Sequence, residues 1–119
     1  MNEEELKSRT RRFALDVIRF VRALPRETAY DVIGRQLLRS ATSVGANYRA
    51  ACRARSRADF IAKLAIVEEE CDESLYWLGL LAESGPAESG PIREFSSEAA
   101  QILAIMVASI KTARNHLAR

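Results

Sequence analysis

The chain holds a single histidine, His116, close to its C-terminal end, and no carboxylate stands three residues before it. The Glu-x-x-His pairs that bind di-iron centres in helical bundles are therefore missing. One terminal histidine also gives no base for a serine or cysteine nucleophile. No G-x-x-x-x-G-K loop is present to cradle phosphates. These absences predict a protein that is not an enzyme and that carries no cofactor or metal. Cysteine is scarce too: Cys52 and Cys71 are the two. If the chain reverses near Ser56, helical rise separates them by well over about 10 Å, too far for a disulfide. Both are expected as small core residues with free thiols. No run approaches the roughly 20 apolar residues of a membrane span, so no membrane partner is expected. The N-terminal stretch MNEEELKSRTRR lacks the apolar segment of a secretory signal, and a cytoplasmic location with reduced thiols is expected.

Glycine and proline are also few, at 5 and 3 in 119 residues, whereas Ala, Leu, Arg and Glu are abundant. That composition favours helix over sheet. With 48% apolar and 29% charged residues the chain has globular balance, and its length is that of one domain, 1–119. The net charge of +2 conceals a division: residues 1–58 carry +7 and residues 59–119 carry −5. Such a split fits nucleic-acid contact, or oppositely charged helices that attract each other or a neighbouring subunit.

Apolar periodicity predicts four helices, over about 3–24, 28–54, 57–84 and 96–118. In the first, Leu6, Phe13, Val17, Phe20, Val21 and Leu24 make one face, and Pro25 stops it. Thr28 is the expected N-cap of the second, with Asp31 in the first turn. Its near-heptad seam is Tyr30, Ile33, Leu37, Ala41, Val44, Tyr48 and Ala51. Gly45, inside the small-residue segment Ser40 to Ala46, fits close helix approach, a kink or a ligand contact. At the basic corner, Ser56 and Asp59 have capping-box spacing. Phe60, Leu64, Val67, Cys71, Leu75, Leu78 and Leu81 are the third seam. Further apolar residues around that helix predict burial against another subunit. Gly85 to Gly90, followed by Pro91, is the clearest break, and Ser96 is the expected cap of the fourth helix. Phe95, Ala99, Ile102, Met106, Ile110, Ala113 and Leu117 form its seam, with Lys111, Arg114 and Arg119 near its end. The predicted fold is all-α: an antiparallel up-down-up-down four-helix bundle.

The acidic run from Glu68 to Glu73 contains no histidine and spans several helix faces, so it reads as a solvated or ion-paired surface. In a hairpin around Ser56, Glu73 comes level with Arg39. The working candidates are basic. Arg49, Arg53, Arg55 and Arg57 gather at one end, with Arg35 and Arg39 along the second helix and Tyr48 among them as a stacking aromatic. Arginine suits phosphate contact. These six arginines are the candidate nucleic-acid site. The alternative is a structural or protein-interaction scaffold without nucleic-acid binding.

The stretch QLLRSATSVGANYRAACRARSRADFIAKLAIVEEECDESLYWL resembles the four-helix bundle proteins of the 23S rRNA intervening-sequence family. Gln36, Leu37, Arg39, Ser43, Asn47, Arg55, Ser56, Phe60 and Leu64 carry the likeness, and LAIMVASIKTARNHL resembles the family's fourth helix. Where many members place Glu-Gly shortly after the asparagine, this chain has Tyr48-Arg49-Ala50-Ala51. The resemblance implies assembly into a ring, typically a homopentamer. It extends to the accessory variability determinant proteins of diversity-generating retroelements, which associate with a reverse transcriptase and bind nucleic acid. The implied partners are further copies of this chain, RNA or DNA, and a protein such as a reverse transcriptase.

Overall fold

The computed structural model describes residues 1–85 and 89–117, apart from the side chains of Ser89 and Leu117. Four helices follow one another: α1 (Glu3–Arg22), α2 (Thr28–Cys52), α3 (Arg57–Ser84) and α4 (Ser89–Leu117). Among the described residues there is no strand. The molecule is a rod of 52 × 22 × 21 Å. Cross-contacts place the helices antiparallel. Ser40 meets Ser74 where Arg39 meets Glu73, and a Cβ on Gly85 would reach Tyr30 at the other end of the α2–α3 hairpin. Likewise Gly45 faces Thr10, while Gly34 faces Val21 and Leu24. Each helix packs on its neighbours in sequence, and α1 closes the bundle on α4 with the fewest points of contact.

Local chemistry sets each end. Asn2 Oδ1 accepts the Glu5 N–H at 2.8 Å, and Glu3, Glu4 and Glu5 occupy the positive end of the α1 dipole. The helix stops at Arg22, two residues before expectation. Ala23 and Leu24 instead donate to Phe20 and Val21 in a tightened last turn ahead of Pro25. The α2 cap also departs from expectation. Thr28 is the first helical residue, and Glu27 holds the cap position without a side-chain bond. A tightened turn likewise ends α2 at Cys52, where Arg53 and Ala54 donate to Ala50 and Ala51.

Ser56 caps α3 as expected, its Oγ accepting the Asp59 N–H at 3.0 Å. Asp59 does not complete the reciprocal box. Its carboxylate accepts from the Arg55 N–H at 3.3 Å and from Lys63 at 2.6 Å. The Lys63 hydrogen bond, with that of Arg55, holds the Asp59 carboxyl below its ordinary value. Replacing Ser56 by alanine is expected to cost about 1 kcal/mol, read by denaturant unfolding. An unchanged midpoint would contradict the cap.

The start of α4 corrects the sequence expectation. The helix begins at Ser89, and Ser96 lies inside it, half-buried. Pro91 falls in the first turn, where a missing N–H breaks no intrahelical bond. The extra turn also buries Ile92 in the core. The expected break at Pro86 to Glu88, and Arg119, lie outside the described residues.

One core runs the length of the rod. Leu37, Val44, Leu64, Val67, Leu78, Leu81, Ile102 and Met106 are fully enclosed. In α3 the seam passes through Ser74 rather than Leu75, which is half-buried. The Ser74 hydroxyl is satisfied there by Ser40 Oγ at 2.9 Å and by the Glu70 carbonyl at 2.9 Å. Gly45 resolves as a packing residue. A Cβ there would lie 3.3 Å from Thr10 Oγ1 and 3.4 Å from the Thr10 carbonyl, so α1 and α2 approach closely. Cys71 is buried as expected, whereas Cys52 is half-buried at the end of α2, and both thiols are free.

Candidate nucleic-acid interface

The six candidate arginines divide into two groups. Arg35, Arg39 and Arg49 lie on one outward stripe of α2 that Arg53, its C-cap, continues at spacings of 4, 10 and 4, all exposed. Thr42 and Ala46 fill that stripe between Arg39 and Arg49. Arg53, Arg55 and Arg57 surround the corner, all exposed. Arg49 lies one turn above Arg53. Arg35 stands about 27 Å from Arg53 along the helix axis, outside the corner group.

Arg39 serves a different purpose. Its guanidinium donates in a fork to both carboxylate oxygens of Glu70, at 3.1 and 3.2 Å, and also to Glu73. The pair ties α2 to α3 beside the Ser40–Ser74 hydrogen bond. This is the geometry expected from the register around Ser56. Part of its charge is therefore spent inside the bundle. Arg35, Arg49, Arg53, Arg55 and Arg57 make no ion pair among the described residues.

Tyr48 does not join them. Only 6% of it is exposed, and it packs in the core. Burial, aided by a hydrogen bond with Cys52, pushes its hydroxyl pKa up. It has no free face for a base. The heptad spacing that places Tyr48 on the α2 seam is the reason.

Two cations from α1 were not singled out in the sequence. Lys7 and Arg11 line a cleft with Arg49, over a floor of Ala14, Gly45 and Ala46; its volume is about 530 Å³. The register argument that pairs Arg39 with Glu73 finds them when applied to the first hairpin. A reversal centred between Glu27 and Thr28, the register that the Gly45–Thr10 contact fixes, brings Arg11 level with Val44 and Lys7 level with Tyr48. On the other side of α1, Arg9 is engaged by Glu98 at 2.7 Å and by Gln101 at 2.8 Å.

Among the described residues, no group of three His, Cys, Asp or Glu side chains is placed to hold a metal ion. No described helix is long and apolar enough to cross a membrane. His116 is exposed in the last turn of α4.

The 23S rRNA-intervening sequence protein family model matches residues 3–108, from the first turn of α1 well into α4. The chain belongs to this family. A similar solved structure is that of a protein of unknown function from the S23 ribosomal protein family of Bacteroides thetaiotaomicron VPI-5482. It is 34% identical, with 93% of this chain and 99% of that one covered, at a TM-score of 0.85. No curated protein matches the chain at a significant level. The residues that carry the family likeness are mostly scaffold in this fold. Arg39 ties α2 to α3, Ser43 and Asn47 bond backward to α2 carbonyls, and Ser56 caps α3. Leu37 and Leu64 are fully buried. Of the unpaired arginines, Arg55 alone belongs to that set. The residues of the likeness therefore describe mainly how the central hairpin closes.

Proposed function

We propose that this chain is a non-enzymatic, homo-oligomeric accessory protein that binds RNA or DNA through the arginines at the α2–α3 corner. One observation carries the reading: Arg49, Arg53, Arg55 and Arg57 are crowded at one end of the rod, exposed and without a carboxylate partner among the described residues. Unpaired guanidinium groups at that density favour a polyanion. Arg35 extends the field along α2, and Arg39 adds what its two glutamates leave over.

Association of copies has separate support. Tyr76 is 60% exposed, with its ring edge-on to Trp77, and the Trp77 Nε1–H is buried without an acceptor among the described residues. A neighbouring copy that covers α3 would shelter both rings. The resemblance stated above leads us to a ring of five copies, acting beside a protein partner such as a reverse transcriptase. Repeating the corner around a ring would multiply its field.

The test is a gel-shift series over ionic strength, run on material sized by light scattering. The protein is expected to bind labelled RNA and DNA, with affinity falling steeply with salt. Replacing Arg49, Arg53, Arg55 and Arg57 by alanine should make the log–log salt dependence shallower by about 3. Negligible binding at low salt overturns the reading. If the same material is a stable oligomer, that result leaves the scaffold as the function.

A further inference from the structure

The cleft between α1 and α2 has a composition that the corner lacks. Three of the residues lining it are cationic, Lys7, Arg11 and Arg49, and none is acidic. Its floor is shut by the close approach of Gly45 to Thr10 and is paved with Ala14 and Ala46. The cations stand on opposite rims, Arg11 from α1 and Arg49 from α2, and neither is ion-paired among the described residues. Lys7 is already held by Glu3 at 3.2 Å and Glu4 at 3.4 Å, which places those carboxylates at the N-terminal limit of the cleft. The volume, about 530 Å³, is in the range of ligand sites.

The cleft is also part of a track. Ser8 and Arg11 are shared with a shallower depression on α1 that Arg12, Asp16 and Arg19 line, Asp16 being paired with Arg19 at 3.3 Å. In the other direction Arg49 leads one turn down α2 to Arg53 and the corner. No aromatic side chain lines either depression.

We infer that the α1–α2 cleft seats the sugar–phosphate backbone of a single strand of nucleic acid, clamped between Arg11 and Arg49 with its bases turned outward. This rests on the nucleic-acid reading above and gives it a path and a strand state. A slot between two packed helices admits one backbone. A duplex carries its phosphates on a convex surface too wide to enter, and would touch the rims alone. Without an aromatic platform, bases are not stacked inside, so binding is tolerant of sequence.

Fluorescence anisotropy of the assembled protein with a labelled oligouridylate, at about 50 mM salt, tests this. Replacing Arg11 and Arg49 together by alanine is expected to weaken binding roughly 50-fold and to make the salt dependence shallower by about 1.4. Ala46→Trp keeps every charge but fills the slot, and should weaken the single strand comparably. Ala14→Gln, a smaller plug from the opposite helix, is the second variant should the first fail to fold by circular dichroism. A duplex of equal length should bind the wild type more weakly and be indifferent to the plugs. Wild-type affinity in a folded plug variant overturns the cleft while leaving the corner reading intact, as does a duplex that binds as tightly as the single strand. An unmodified protein that binds neither nucleic acid overturns both.

Discussion

Replacing Leu78 by alanine is expected to remove about 3 kcal/mol of stability, lowering the melting temperature by about 10 °C. Leu78 is fully enclosed in the seam of α3, the helix that packs broadly on both α2 and α4. Truncation there loses the transfer energy of the side chain and leaves a cavity that long helices held on both sides cannot collapse. Domains of this kind have about 5–15 kcal/mol in total, so the loss is a large share. Tyr76, two residues earlier on the opposite face, is the control. In dilute protein, where copies are apart and the ring is exposed, its truncation should cost within about 0.5 kcal/mol. Chemical unfolding of the three proteins measures both. A change below about 1 kcal/mol at Leu78 would contradict its place in the core. A large loss at Tyr76, dependent on protein concentration, would place that ring at an interface between copies.

The two thiols should differ by orders of magnitude in reactivity. Burial pushes the Cys71 thiol pKa from its ordinary 9.0 to about 12, and the Glu70 and Glu68 carboxylates add to the shift. About one molecule in 10⁵ then holds a Cys71 thiolate at neutral pH, and the thiolate is the nucleophile. Cys52 is half-buried; burial raises its pKa, but the Tyr48 hydroxyl opposes this by hydrogen bonding. Titration with an aromatic disulfide reagent should find one slow equivalent in the native protein and the second only in denaturant. Equal rates for the two would contradict the fold at α3. The sign of the pH dependence follows from the raised value. The native state favours the protonated Cys71 thiol, so its contribution is complete below the ordinary thiol range. It declines as the pH climbs from about 9 toward 12, where the unfolded chain has already released that proton.

Heptad spacing made the core of α2 and α3 legible, because a seven-residue pattern has few ways to bury itself. The same register arithmetic places Arg39 opposite Glu73, where the ion pair stands. Where terminal backbone bonding decides, the sequence was less informative. Pro91 marks a break in any linear reading, yet a helix accepts it in the first turn, and α4 gains Ile92 for the core. Tyr48 was ambiguous for a different reason. Its type fits base stacking and its position fits the seam, and burial settles between them. The pattern of no single helix shows the cleft, since Arg11 and Arg49 are 38 positions apart and come together only through the α1–α2 reversal. Gly45 was the pointer. A glycine that lets two helices touch also leaves little side-chain bulk above the contact.

The closure of α1 on α4 has a consequence for motion. That seam is fastened mainly by Arg9 on Glu98 and Gln101 and by the edge-to-face Phe20–Phe95 pair, 5.3 Å between ring centres. The three seams between sequence neighbours join helices that are consecutive in the chain as well as packed together. Local opening is therefore expected to begin at the α1–α4 seam, and α1 leaves the other three helices only when its packing on α2 is lost as well. Arg11 rides on α1, so full release of that helix from α2 also dismantles the slot. Anything lodged between Arg11 and Arg49 would act as a latch on the first helix, slowing amide exchange throughout it.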